Sequence, residues 1–290
     1  MVGSSFIDRH DADRFESWYS MATTERPEWA PEGVDISRPN MARSYDYWLG
    51  GSHNFAVDRE YAKKIIEVLP GTRLIAQANR SFMHRALRYL LDQGVRQFLD
   101  LGSGIPTLGN VHEVAHEVDP EARVVYVDID PIAVAHSRQL LADNPNGIAI
   151  QADLADADEI LGNPEVQRIL DFSQPIGLLM VSVLHVVPDA VDPYGAVARY
   201  RDAMVPGSFV VITHGTDDSR SEEMHGAREL SEKTPTPGHL RSYDEIEAFF
   251  EGFEFADPGL VWVSQWRPDP SDELDDPNQL TFYAGVGRKR

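Results

Sequence analysis

Short β-rich runs alternate with helical patterns through the central part of the chain, and this alternation limits the fold more than any other feature. The β-rich runs are, in order, QFLDLGS, RVVYVDID, GIAIQAD, IGLLMVSVLHVV and GSFVVITH. Several of them are apolar throughout, which is typical of parallel strands covered by helices on both faces. We therefore predict a Rossmann-like, doubly wound α/β fold with a mostly parallel sheet.

The C-terminal part adds two further β-rich runs, FADPGLVWVSQW and LTFYAGVG, joined by the polar loop WRPDPSDELDDPNQ. A doubly wound sheet commonly ends in antiparallel edge strands. The sequence therefore predicts a seven-stranded sheet with an antiparallel C-terminal hairpin, formed by a domain that spans residues 95–290.

The segment before the sheet has helical periodicity. The pattern VDREYAKKIIEVLP ends at Pro70, and ANRSFMHRALRYLLDQG ends at Gly94, in the position of a C-terminal cap. We predict a helical cap over residues 36–94 that packs on the core. Residues 1–35 include the Pro-containing stretch RPEWAPEGVD and are predicted to form a flexible or extended arm.

Charge and composition exclude several classes of function. The chain has 47 acidic and 26 basic residues, so its formal net charge of -21 would repel nucleic acid and anionic lipid surfaces. It has no cysteine and no apolar stretch of about 20 residues that could span a bilayer. We expect a cytoplasmic protein with a small-molecule substrate, no nucleic-acid partner and no membrane span; the oligomeric state is left open.

The strongest local motif is FLDLGSGIPT, in which a strand runs through Asp100 into a glycine turn and then a helical stretch. Gly102 and Gly104 would let a ligand lie against the backbone, and the helix N-terminus offers free N–H groups to it. A dinucleotide-binding GxGxxG would have Gly or Ala at its third position, where this chain has Thr107. The motif therefore disfavours NAD as the ligand, but it does not by itself identify which ligand binds.

Acidic residues end the next two strands. Asp128 follows VVYV, where a carboxylate can accept hydrogen bonds from both hydroxyls of a ribose, and Asp130 is a second candidate. Asp130 also precedes Pro131 and suits the alternative role of a helix cap. Asp153 ends the third strand, where it could accept from an adenine amine. The acidic residues that follow, Asp156, Asp158 and Glu159, are interpreted as the solvent-exposed start of a helix. We therefore predict no metal site.

The order DLGSG, VDID, QADL, MVSVLHVV and MVPGSFVVIT resembles the motif series of class I S-adenosylmethionine-dependent methyltransferases. This resemblance covers about residues 97–213 and implies S-adenosylmethionine as cofactor. In that class the glycine loop holds the amino acid part of the cofactor, and the second-strand acid holds the ribose. The candidate cofactor-binding residues are Asp100, Gly102, Gly104, Asp128, Asp130, Asp153, Leu154 and Ser182.

A narrower resemblance lies upstream. The segments ARSYDYWLGGSHNFAVDRE and ANRSFMHRALRYL are similar to a mainly actinobacterial family of S-adenosyl methyltransferase-like proteins once catalogued as a domain of unknown function. This resemblance implies the fold and the cofactor but not the substrate. The upstream polar and aromatic cluster could form a lid or acceptor pocket, or it could simply pack on the sheet. The cluster also includes Asn79. The candidate lid or substrate residues are Arg43, Tyr45, Tyr47, Asn54, Arg80 and His214.

The fourth strand brings Ser182 and His185 to the carboxyl edge of the sheet, where ligands bind in open α/β folds. A methyl group on a sulfonium is already activated, so catalysis mainly requires that donor and acceptor be aligned. His185 is the first candidate for a general base because an unperturbed imidazole titrates near neutrality. We predict methyl transfer to oxygen, nitrogen or carbon of a small molecule. The alternatives are a noncatalytic S-adenosylmethionine-binding regulator and an NAD-dependent oxidoreductase.

Overall fold

One sheet organises the structure, a computed structural model that describes residues 35–106, 109–232, 234–270 and 276–290. The arm predicted for residues 1–35 therefore lies, except for Asp35, outside the described residues. The strands are β1 Gln97–Leu101, β2 Arg123–Asp128, β3 Gly147–Gln151, β4 Gly177–Val181, β5 Phe209–Gly215, β6 Phe253–Phe255, β7 Val261–Trp262 and β8 Phe282–Lys289.

The strand order is β3-β2-β1-β4-β5-β8-β6, with β7 pairing beside β6 on β8. Strands β1 to β5 are parallel, and β8 runs antiparallel to β5, β6 and β7. The predicted mostly parallel sheet with an antiparallel C-terminal hairpin is confirmed, but in the described part of the chain it has eight strands instead of the seven predicted. The run FADPGLVWVSQW differs from the expected single strand, because Pro258 and Gly259 separate β6 from the two-residue β7. Proline cannot donate to a sheet ladder, which explains the interruption.

Helices cover both faces of the sheet. They are α1 Met41–Trp48, α2 Ala56–Val68, α3 Thr72–Asp92, α4 Val111–Val118, α5 Pro131–Leu140, α6 Ala157–Gly162, α7 Pro164–Ile169, α8 Pro193–Ala203, α9 Ser221–Ser231 and α10 Tyr243–Glu247. Successive strand residues point to opposite faces. Phe98 and Val124 accordingly pack with α3 and α4, whereas Leu99 and Val125 pack with α6 to α8. Both faces of the central strands are covered by helices, which explains why most residues of these strands are apolar and buried.

Helix α3 is part of the core, because Phe82, Leu87 and Leu90 are fully buried against the sheet. Helices α1 and α2 form a second apolar cluster with α9, which contains Trp48 and Tyr61 and which Ala76 joins from the N-terminal part of α3. The domain boundary predicted at residue 94 would thus separate α3 from the sheet against which it packs. The division into cap and core domains remains a prediction.

A buried ion pair holds the first two helices together. The Nε of Arg43 lies 3.1 Å from the carboxylate of Asp58, and both side chains are almost completely buried. Arg43 also donates from its Nη atoms to the carbonyl oxygens of Asp35 and Arg38. Asp58 accepts from the backbone N–H groups of Asn40 and Phe55. The pair therefore fixes the segment that enters α1 to the start of α2.

We expect Arg43→Met to lower the free energy of unfolding by about 3 kcal/mol, because Asp58 would remain as a buried charge without its partner. Urea denaturation followed by circular dichroism measures this loss. The matched change Arg88→Met removes an ion pair with Asp269 in which both side chains are more than half exposed, and it should cost less than about 1 kcal/mol. Equal losses in the two variants would contradict the prediction.

Candidate functional site

A cavity of about 460 Å³ opens at the carboxyl edge of β1 to β4. Its strand half is lined by the loops after these strands and includes Asp100, Gly102, Gly104, Asp128, Ile129, Asp153, Leu154, Ser182 and His185. Its helical half is lined by α1, α2, α3 and α9 and includes Tyr45, Tyr61, Ile65, Leu69, Ile75, Asn79, Arg80, Met83 and Met224. The strand order reverses between β1 and β4, and ligands bind at such switch points in open α/β sheets.

The two glycines after β1 have different physical reasons to be glycine. Both have left-handed backbones, with φ of +69° at Gly102 and +66° at Gly104. A Cβ on Gly102 would lie 2.2 Å from Cγ2 of Val183, so this glycine allows the loop to pack on the segment after β4. At Gly104 no atom of the described residues lies within 4 Å of the position that a Cβ would occupy. The backbone there borders open space that a ligand can enter.

Asp128 ties this glycine loop to the end of β2. Its Oδ2 accepts from the N–H of Gly104 at 2.7 Å, and its Oδ1 accepts from the N–H of Asp130 at 2.8 Å. Burial raises the pKa of Asp128 to about 6, against the effect of these backbone hydrogen bonds. Each carboxylate oxygen has a second lone pair and can still accept from a ligand hydroxyl.

Asp100 and Arg80 bring opposite charges to the same part of the cavity. Asp100 is only 6% exposed, and burial raises its pKa to about 7. Arg80 opposes this increase by its positive charge, whereas Asp128 adds to it. Arg80 donates to Oδ1 of Asn110 at 3.2 Å. A ligand that carries both an ammonium and a carboxylate would find a partner for each.

An apolar pair borders the cavity beyond Asp128. Ile129 is 53% exposed, whereas Leu154, after β3, is buried. Asp153 is exposed and accepts from the N–H of Ala155 at 2.9 Å, so it lies at the rim. Sequence reasoning missed Ile129; the available signal was an apolar residue between two acids in the VDID strand end. Exposed apolar surface beside a cavity suits the face of a planar ring.

Asp130 takes the alternative role of a helix cap. Its Oδ1 accepts from the N–H of Ile132 at 2.7 Å at the start of α5, and Pro131 occupies the first helical position. Asp130 does not line the cavity. Of the two acids in VDID, the structure therefore places Asp128 at the site and Asp130 behind it.

Ser182 and His185 both line the cavity after β4. Ser182 has a φ of +58°, and its N–H donates to Oγ1 of Thr213 at 2.8 Å. His185 lies in the 3₁₀ turn Leu184–Val186, and its ring meets Phe282 edge-on at 5.3 Å between centroids. Burial lowers the pKa of His185 to about 4, and nearby Arg241 and His239 contribute to this decrease. The imidazole is therefore neutral at neutral pH.

Arg241 holds the loop that carries His185. It is buried and donates to the carbonyl oxygens of Leu184 at 3.0 Å and Val187 at 3.1 Å, and to Oδ1 of Asp189 at 2.5 Å. It also donates to Nε2 of His214 at 2.9 Å. An arginine can only donate, so His214 accepts at Nε2 and carries its proton on Nδ1. His214 is fully buried behind this loop and does not line the cavity.

The remaining upstream candidates divide into two groups. Tyr45 and Arg80 line the cavity. Tyr47 lies under the guanidinium of Arg73, and Asn54 donates to Oδ2 of Asp46 at 2.7 Å. The second group consists of Tyr47, Asn54 and Arg43, which pairs with Asp58. These residues support the N-terminal helices and do not line the cavity.

No group of three or more His, Asp or Glu side chains in the described part of the chain could hold a metal ion. No helix among the described residues is both long and apolar enough to cross a membrane.

The sequence from residue 27 to residue 290 matches the model of a protein family described as S-adenosyl methyltransferase. The chain belongs to this family. The match covers most of the chain, so the predicted cofactor, S-adenosylmethionine, and the predicted reaction class, methyl transfer, are confirmed at the level of the family. The family match favours these predictions over the oxidoreductase alternative.

Two solved structures are similar over nearly the whole family region. A candidate methyltransferase from Thermobifida fusca is 41% identical with a TM-score of 0.85, and the match covers 91% of this chain and 100% of that chain. A DUF574 family protein from Streptomyces avermitilis is 36% identical with a TM-score of 0.85, covering 88% of this chain and 99% of that chain. A search of curated proteins gave no match.

The raised pKa of Asp100 predicts a pH-dependent stability. Because burial raises this pKa from 3.8 to about 7, the folded protein keeps a proton that the unfolded chain releases. The contribution of Asp100 to the free energy of unfolding therefore falls as the pH rises through this interval. We expect the stability of Asp100→Asn relative to the wild type to increase by about 2 kcal/mol between about pH 5 and pH 8.

Urea denaturation at the two pH values measures this change. Asp143→Asn replaces an exposed acid and serves as the matched control, for which the difference from wild type should stay constant. A constant difference for Asp100→Asn as well would show that the Asp100 carboxylate is ionised throughout.

Proposed function

We propose that this chain transfers the methyl group of S-adenosylmethionine to a small molecule held in the helical half of the cavity. The observation that carries the proposal is the open backbone cradle at Gly104, directly beside the anchored carboxylate of Asp128. The cavity volume of about 460 Å³ lies in the range of small-molecule sites. The net charge of -21 is unfavourable for a nucleic-acid acceptor.

The strand half fits S-adenosylmethionine group by group. Asp100 would accept from the ammonium of its amino acid part, and Arg80 would pair with the carboxylate. The space beside Gly104 would admit the chain between this part and the ribose. Asp128 would accept from the ribose hydroxyls with its remaining lone pairs. All four residues line the same cavity: Asp100, Gly104 and Asp128 belong to its strand half, and Arg80 lies on α3.

The adenine would lie between apolar side chains at the outer end of the strand half. Ile129 and Leu154 offer the two apolar contacts, and burying the exposed surface of Ile129 would contribute favourably to binding. Asp153, at the rim, would accept from the exocyclic amine. Ser182 and His185 lie after β4, at the junction between the two halves.

Bound S-adenosylmethionine supplies an activated methyl group on a sulfonium. The chain contributes alignment, because the walls of the cavity hold the acceptor against the strand half and limit access of water. His185 is neutral and can accept a proton from an acceptor O–H or N–H as the new bond to carbon forms. Arg241 acts through the backbone by fixing the turn that presents His185.

A noncatalytic S-adenosylmethionine-binding regulator would use the same strand half without turnover. Release of S-adenosylhomocysteine in the presence of an acceptor separates the two functions. We place the reaction in the cytoplasm, which a chain without cysteines suits.

We expect Asp128→Asn to weaken binding of S-adenosylmethionine and S-adenosylhomocysteine by about 10- to 100-fold, because hydrogen bonds to a charged group are lost. Isothermal titration calorimetry measures both dissociation constants. The matched control is Asp130→Asn, which affects a helix cap outside the cavity and should change affinity less than about threefold. Unchanged affinity in Asp128→Asn would reject this assignment of the ribose contact.

Turnover tests the role of His185. With an oxygen or nitrogen acceptor, His185→Gln should reduce the rate of methyl transfer by about 100-fold, because the proton acceptor is lost. The affinity for S-adenosylmethionine should stay unchanged. The measurement is release of S-adenosylhomocysteine under single-turnover conditions. An unaltered rate would mean that alignment alone supports transfer.

A further inference from the structure

The helical half of the cavity differs in chemistry from the strand half. Its walls are formed mainly by apolar side chains, among them Ile65, Leu69, Ile75 and Met224. The acids that line the cavity, among the described residues, all belong to the strand half. Arg228 lies at the margin, partly exposed, with Glu232 at 3.6 Å. Arg80 also belongs to this half, but the proposed function assigns it to the carboxylate of the cofactor. A cationic acceptor would therefore be desolvated without an opposite charge, and an anionic acceptor would have to compete with the cofactor for Arg80.

A hydrogen-bond chain fixes the orientation of the amide of Asn79. The hydroxyl of Tyr45 donates to the carbonyl oxygen of Ala76 at 3.1 Å, so its single proton is used. The contact of 2.9 Å between Tyr45 Oη and Asn79 must therefore be a donation from Nδ2 of Asn79. This leaves Oδ1, which can only accept, as the free end of the amide.

Oδ1 of Asn79 has no hydrogen-bond partner among the described residues, and the side chain is only 2% exposed. The hydroxyl of Tyr61, another buried residue of the same wall, also lacks a partner. A buried acceptor without a donor is unfavourable, and native structures rarely leave one unsatisfied. A donor brought by a ligand would satisfy Oδ1. Neither a hydrocarbon nor a carboxylate can supply one.

We propose that the methyl acceptor is an uncharged, largely apolar molecule with a hydroxyl group that donates to Oδ1 of Asn79. This inference rests on the proposed function, because it assigns the helical half to the acceptor. The hydroxyl is a recognition group; because its single proton is donated to Asn79, the atom that receives the methyl group lies elsewhere on the molecule. An amine that is protonated at neutral pH is excluded by the lack of a carboxylate in the helical half.

The test compares matched compounds on protein saturated with S-adenosylhomocysteine. Each set has one aromatic skeleton with a hydroxyl, a hydrogen or a carboxylate: 2-naphthol, naphthalene and 2-naphthoate, and 4-phenylphenol, biphenyl and biphenyl-4-carboxylate. Isothermal titration calorimetry at neutral pH measures the affinities. We expect the hydroxyl compound of at least one set to bind about tenfold more tightly than both of its counterparts.

The variant Asn79→Leu removes the acceptor but keeps a similar side-chain volume. It should weaken binding of the hydroxyl compound by about tenfold and leave the hydrocarbon unaffected, so the selectivity is lost. Asn146→Leu is the matched control; Asn146 lies at the other end of the sheet, before β3, and should preserve the selectivity. The comparison within the wild type does not depend on how well either variant folds.

Two outcomes overturn the inference. One is that no hydroxyl compound binds more tightly than its carboxylate and hydrocarbon counterparts, and the other is that Asn79→Leu keeps the wild-type selectivity. Titration with S-adenosylhomocysteine alone comes first and separates the two levels of proposal. If this ligand does not bind, the proposed function fails; if it binds and the hydroxyl compounds show no preference, only the acceptor class fails.

Discussion

The carboxylate of Asp128 is the interaction on which the geometry of the site depends. It accepts from Gly104 in the loop after β1 and from Asp130 at the start of α5, so one side chain fixes two neighbouring loops. These backbone donors oppose the effect of burial on its pKa, which still rises to about 6. The residue that organises this edge of the sheet is thus also the one to which the proposed function assigns the ribose.

A second anchor, Arg241, fixes the part of the strand half that follows β4. Its guanidinium bonds two carbonyl oxygens of the loop after β4, so the turn that carries His185 is held by the backbone. His214, which is buried behind this loop, accepts a hydrogen bond from the same guanidinium. Together Asp128 and Arg241 hold the walls of one cavity at two points. This preorganisation suits methyl transfer, in which alignment of donor and acceptor contributes most.

The sequence determined the fold class and the strand half of the cavity because both depend on local patterns. Apolar strands between helical segments require a sheet covered on two faces, and Gly102, Gly104 and Asp128 follow their strands at the edge where parallel strands end together. Asp100, Asp153, Leu154 and Ser182 lie in this half for the same reason. These residues are placed by the end of a strand, so counting along the chain is enough to locate them.

Tertiary structure alone decided the residues whose roles depend on distant partners. Arg43, Asn54 and His214 have the chemistry of binding residues, yet their polar groups are used by Asp58, Asp46 and Arg241. The division of the cavity into a charged and an apolar half arises because α1, α2 and α9 come together over the sheet edge. Hydrogen bonds between residues far apart in sequence have no periodicity, so no pattern in the chain could reveal that Tyr45 orients Asn79.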